Sequence, residues 1–253
     1  LSNKITSVPH AVNFLGSQTV KSLALSFSLV KNLRFDETKG FDYVKFWKTS
    51  LSGAVSAKRL TEKILPDFAE DAFFLGLIHN IGILAMNQCV QEQYQLVLNE
   101  TKNSSFSNSE AENRFLGFNH MQLGEFLANS WGLPDTFTIP ILHHHGIDDI
   151  VIDEPNVDVM IKLLRLSSLF IDLSNHREKN ASTTFAQLEF FAKKYGFQDK
   201  LRIDEIAKQI HQQTINVFPL FNIRIDEDTD YIQLIEDARN ELINLSSDFM
   251  EQL

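Results

Sequence analysis

A single cysteine, Cys89, leaves the chain unable to close an internal disulfide, which fits a reducing compartment and an expected cytoplasmic location. Ten glycines and six prolines are too few for the many tight turns of a β-sandwich. Uninterrupted apolar runs fall short of the ~18 residues of a membrane span. Even the greasiest stretch, Ala72 to Met86, carries His79 and Asn80, so no membrane association is expected. The opening Leu1-Ser2-Asn3-Lys4 is polar and no small-residue cleavage site follows, so no secretory signal is expected either. Basic residues are the minority, 23 against 33 acidic, for a formal charge of −10 that argues against a general nucleic-acid binder. A Gly-rich phosphate loop, a Gly-x-Ser-x-Gly elbow, a paired-cysteine motif and a His-Glu-x-x-His segment are all missing.

What remains is a chain of 253 residues, 43% hydrophobic and 22% charged, which has the composition of a folded globular protein and not of a disordered one. Its local signals are helical. Asp67-x-x-Glu70, Ser107-x-x-Glu110, Asn119-x-x-Gln122 and Thr184-x-x-Gln187 have the form of capping boxes, in which paired side chains satisfy orphan amides of a first turn. Gly16, Gly132, Gly146 and Gly196 stand where preceding helices should end, and Pro66, Pro134 and Pro155 mark boundaries. The reading is all-α, with about ten helices.

Ala72 to Met86 is apolar on every face, as expected of one central helix surrounded by others. Gly76 within it predicts close approach of a neighbouring backbone, and His79 and Asn80 would be polar groups deep in a core. Polar residues 175–184 form a candidate linker between a domain at 1–175 and a C-terminal extension at 176–253. In that extension a short amphipathic helix ends at Gly196 and another runs from about Asp204 to Val217. A final helix is expected from Asp228. Its apolar residues Tyr231, Ile235, Ala238, Leu242, Leu245 and Phe249 are spaced 4, 3, 4, 3, 4, as in a heptad seam. That seam suits either packing on its own domain or a coiled-coil connector that dimerises or leads to a further domain.

Charge is uneven along the chain. Residues 1–60 hold nine basic and three acidic side chains, so the opening could face an acidic partner or pair with the acidic remainder. Phe41 to Lys48 interleaves aromatics with lysines, but helical spacing puts Tyr43 and Trp47 on one stripe, which reads as core packing in place of base stacking. Cys89 lies beyond the buried helix and reads as an inert thiol.

Five of the eight histidines fall in three places: His79, His120, and the run His143-His144-His145. Imidazole is a common metal ligand, and a mixed set with carboxylates suits divalent metals that activate water on phosphoesters. Carboxylates are scarce in the sequence nearby, Glu125 and Asp148 being closest. Three consecutive histidines on a helix fan over about 200°, so at most two can face one site. Spacing alone leaves both a metal centre and hydrogen-bonded structural histidines open.

Together these segments resemble the HD-related output domain family, HDOD. The resemblance is carried by Phe46-Trp47-Lys48-Thr49-Ser50-Leu51, then Ala72-Phe73-Phe74-Leu75-Gly76-Leu77-Ile78-His79-Asn80-Ile81-Gly82. Glu112 with Gly117-Phe118-Asn119-His120, Trp131-Gly132-Leu133-Pro134, and His144-His145 follow in the same order, and Ser7-Val8 with Leu15-Gly16 is similar to the family's central segment. It spans roughly residues 5 to 175. The family's domain normally has further helices before the Ser7 segment, so the chain is expected to begin inside it.

The resemblance implies an HD-like multi-helix bundle related to metal-dependent phosphohydrolases, with additional C-terminal helices, acting as a bacterial regulatory module in signal transduction. It also implies a broken catalytic pattern. Thr49 stands where the hydrolases have their first histidine, the defining His-Asp pair reads His79-Asn80, and serines 167 and 168 stand near the final aspartate. The accessory histidines match His120, His144 and His145. The expectation is therefore a non-catalytic module with a vestigial metal set of His79, His120, His144 and His145. No obligatory cofactor is expected, though one residual divalent ion could be held. Expected partners are a signalling protein or an adjacent output domain, with a nucleotide ligand or homodimerisation through the last helix as further options. The rival is a phosphohydrolase with a histidine-only site acting on cyclic dinucleotides or other nucleotide phosphoesters.

Overall fold

Helix starts and stops set the architecture. The computed structural model describes residues 41–103, 106–145, 152–175 and 181–221, with single positions at 237 and 240. Among these are ten α-helices and two 3₁₀ turns, Pro66–Phe68 and Phe218–Phe221, and no strand. The helices are α1 (Tyr43–Ile64), α2 (Ala69–Ile78), α3 (Ile81–Cys89), α4 (Gln91–Asn103) and α5 (Asn108–Leu116), followed by α6 (His120–Ser130), α7 (Asp135–His143), α8 (Pro155–Asn175), α9 (Ala181–Lys194) and α10 (Ile203–Val217). The Ser7–Gly16 segment, the residues of the heptad seam, Gly146 and Asp148 lie outside the described residues; of the helix expected from Asp228 only positions 237 and 240 are described, both helical.

Two of the four capping boxes form. Ser107 and Glu110 exchange backbone hydrogen bonds at the start of α5, and Asn119 and Gln122 do the same at α6. The other two do not. Asp67 lies inside the Pro66–Phe68 turn, Phe68 caps α2 without a side-chain bond, and Glu70 is engaged by the Lys58 ammonium on α1. Thr184 falls within the first turn of α9, because that helix starts at Ala181, a buried residue. Helix therefore takes in both ends of the expected 175–184 linker. Gly132 and Gly196 adopt positive φ, 73° each, just past α6 and α9 as expected.

The central apolar segment is two helices and not one. The last α2 bond runs from the His79 N–H to the Leu75 carbonyl at 2.9 Å, and Asn80 turns the chain at φ −98°, ψ 13°. All-round hydrophobicity gave no sign of this break, which redirects the chain so that α3 docks on α6. His79 is buried, as expected, but Asn80 at the turn is only half-buried. By length and composition Pro66–Cys89 does qualify as a membrane span, at mean hydropathy 1.3, contrary to the expectation from its polar pair. Its apolar surface is used inside the domain, where 67% of that window is buried.

The main core joins α1, α2 and α8 to the C-terminal α9 and α10, with Leu51, Leu60, Leu75, Leu163, Phe170, Phe185 and Ile206 in one cluster. Each such side chain contributes roughly 1.5–3 kcal/mol by leaving water. Tyr43 and Trp47 pack into a second cluster with Phe46, Ile81 and Leu84, as their stripe predicted. Close helix crossings bracket His79. A Cβ at Gly76 would stand 2.5 Å from the Gly53 carbonyl oxygen, and one at Gly82 would stand 2.0 Å from that of His120. Only glycine lets α2 approach α1, and α3 approach α6, this closely.

Candidate functional site

Three histidines from two helix ends converge beside the α2–α3 break. His120 is the first residue of α6, His144 caps α7, and His145 follows it. Their ligand nitrogens all lie within 4.8 Å of one another, and no carboxylate belongs to the group among the described residues. His120 Nε2 is 3.4 Å from His144 Nε2 and 3.1 Å from His145 Nε2. His79 stands beside this trio and outside it, its ring edge-on to His144 with centroids 5.0 Å apart. His143, the first of the consecutive three, is not part of it, so the limit of two from that run holds.

Hydrogen bonds on the far ring nitrogens aim these imidazoles. Carbonyl oxygens only accept, so His144 Nδ1 donates to Ile141 at 2.8 Å and His79 Nδ1 donates to Gly76 at 2.7 Å. His120 Nδ1 meets Glu112 Oε2 at 2.6 Å. The same oxygen accepts the His120 backbone N–H at 2.8 Å, one of the orphan donors of the first turn of α6. In the neutral rings each Nδ1 keeps its proton and each Nε2 offers a lone pair.

Burial favours the neutral form of His79, His144 and His145. Desolvation pulls the His79 pKa down from 6.5 to about 4, against the help of its Gly76 bond. His144 is held well below its ordinary value, first by desolvation and then by the imidazoles of His145, His79 and His120. His145 is lowered to about 3 by desolvation, then by His120, His79 and the Arg165 guanidinium. Although His145 is exposed as a residue, its ring contacts His120 and His144, which makes the imidazole drier than the residue as a whole.

The carboxylate beside His120 is Glu112, which carries part of the family resemblance but is not among the carboxylates expected to partner the histidines. It is fully buried, eight residues before His120, on a helix that ends at Gly117 and lets the chain fold back. Proximity in sequence pointed instead to Glu125, which accepts from Asn129 at 2.7 Å, and to Asp148. The useful signal was the turn at Gly117 between two capped helices. Glu112 Oε1 has no hydrogen-bond partner among the described residues, and the carboxylate engages His120 through Oε2.

The positions of the absent acidic ligands carry packing. The Ser167 hydroxyl donates to the Gly53 carbonyl at 2.9 Å and ties α8 to α1, while the Ser168 hydroxyl returns to Leu164 in its own helix. A Cβ at Gly53 would come within 3.1 Å of the His79 ring, so α1 closes directly over that imidazole. Two of the three nitrogen pairs have the spacing of ligands on a single ion. Two imidazole nitrogens on one tetrahedral ion at 2.0–2.1 Å are about 3.3 Å apart, and the measured pairs are 3.4 and 3.1 Å. Neutral nitrogens without anionic oxygen suit zinc, nickel or copper and not magnesium or manganese.

An all-helical bundle with a histidine cluster at the helix break is an HD-like fold. The HDOD domain model matches residues 1–147, and the chain belongs to the HDOD family. A candidate phosphohydrolase from Shewanella amazonensis is similar in structure, with 21% identity and a TM-score of 0.67, the match covering 85% of this chain and 77% of that one. An HDOD domain protein of unknown function from Geobacter sulfurreducens is alike at 20% identity and TM-score 0.67, over 86% and 76%. The MmoQ response regulator of Methylococcus capsulatus is similar at 25% identity and TM-score 0.54, over 79% and 76%. Comparison with curated proteins finds no match.

Proposed function

We propose that this chain is a regulatory module of bacterial signal transduction that works in the cytoplasm without hydrolysing phosphoesters. Its histidine cluster holds one ion of the zinc class as a structural or sensory ligand. The carrying observation is the donor set: three converging imidazoles and no carboxylate among the described residues. A two-ion hydrolytic site needs anionic oxygens to bridge and neutralise its cations, and Asn80 offers only a neutral amide. Glu112 orients His120 and stands on the ring's Nδ1 side, so it cannot bridge ions at Nε2. Membership of the HDOD family and the likeness to a response regulator support a regulatory role.

A bound ion would supply cross-linking of α6 to the end of α7, and the residues that would hold it are His120, His144 and His145, with His79 alongside. The change would pass through the C-terminal helices beyond the boundary near residue 175 to a partner protein or output domain. The heptad seam over 231–249 would serve a homodimer, in which case Leu242→Asp halves the mass in light scattering.

Metal analysis paired with a phosphodiesterase screen that includes cyclic dinucleotides tests the reading. One ion per chain and no turnover is expected. The convergence of three Nε2 atoms also favours the rival phosphohydrolase, and turnover abolished by His79→Ala would establish that rival.

A further inference from the structure

The histidine cluster and the C-terminal helices meet at one side chain. α7 ends at His143 and His144 caps it, so the backbone of His145 lies past the helix. Arg165, near the middle of α8, donates from Nη1 to the His145 carbonyl at 2.8 Å. The same guanidinium lies over the Phe191 ring of α9, 4.1 Å from its centroid. One rigid planar group thus uses its edge on the segment that carries the rim imidazole and its face on the next helix. It cannot turn to follow one partner without disturbing the other.

We infer that Arg165 couples occupancy of the histidine cluster to the seating of α9, and so to the C-terminal helices. This rests on the ion-binding reading above. An ion shared by His120, His144 and His145 fixes residue 145, whose carbonyl then holds the guanidinium in the plane that stacks on Phe191. α9 carries this restraint onward because Phe185, Leu188 and Ala192 lie in the same core as Ile206 and Ile210 of α10. Linkage makes the effect reciprocal: whatever loosens the stack also weakens ion binding. Arg165 has an opposing influence too, because its positive charge disfavours a cation at His145. A substitution that keeps the charge separates the two effects.

Amide hydrogen exchange across α9, with and without one equivalent of Zn2+, tests the coupling, with calorimetry reporting zinc binding on the same samples. In the unsubstituted full chain zinc slows exchange in α9 by about fivefold, at the low end of typical coupling between sites. Arg165→Lys keeps the charge and loses the planar face; Phe191→Leu keeps an apolar side chain and loses the ring. Both still bind zinc, with the α9 protection at least halved. Zinc binding without α9 protection, or undiminished protection in both variants, overturns the coupling while leaving the ion site standing. Absence of calorimetric binding to the unsubstituted chain overturns the ion site itself, and the coupling falls with it.

Discussion

On the side of the histidine cluster formed by α5, α6 and α7, buried polar atoms serve to aim nitrogen lone pairs. Glu112 holds His120, and the Ile141 carbonyl holds His144. On the side formed by α1, α2 and α8, where the resemblance places the acidic and first histidine ligands, polar atoms fasten helices instead. Ser167 bonds to Gly53, and Gly53 and Gly76 bring two backbones into contact. On the proposed reading, helix packing on one side supports the imidazoles held on the other.

The strongest way to break that comparison is to spoil the packing beneath the nitrogen side. Gly82→Val would drive a side chain into the His120 backbone carbonyl, which has no flexible end to yield. A loss of about 3 kcal/mol or more is expected in urea unfolding.

Acid should weaken both sides almost as strongly in the metal-free chain. His79 titrates at about 4 when folded, against 6.5 ordinarily. Between those values the unfolded chain binds more protons, so stability rises with pH: it is fully present above about 6.5 and is lost as pH falls toward 4. The difference corresponds to roughly 3 kcal/mol from His79. His144 and His145 shift in the same direction and should steepen the loss. Thermal melts from pH 7.5 to 4 measure it, and His79→Gln should flatten the curve.

Two smaller substitutions sharpen the contrast. Glu112→Ala leaves two buried donors of His120 unmatched, which costs about 2 kcal/mol. It should also weaken zinc binding by roughly 10- to 100-fold in a calorimetric titration. Ser167→Ala removes one buried bond on the packed side and costs about 1 kcal/mol, with zinc affinity unchanged.

The fold was legible because helical signals repeat and agree: α5 and α6 open on their capping boxes, and Gly132 and Gly196 end helices as expected. The break at His79-Asn80 was not legible, since apolar residues continue on both sides and the turn answers to tertiary docking of Gly82 on α6. At the site, the resemblance set His79, His120, His144 and His145 together, and three of the four converge, with His79 alongside. Glu112 was overlooked as a carboxylate neighbour, because nearness in sequence was weighed and the reversal at Gly117 between two capped helices, which buries it against His120, was not.

Competitive loading of the metal-free chain with Zn2+ and Mn2+, followed by counting the bound ions, tests the central claim most directly. The account predicts one zinc per chain and no retained manganese, since neutral nitrogens alone prefer the softer ion. Two manganese ions per chain would show that an anionic half survives and would contradict it.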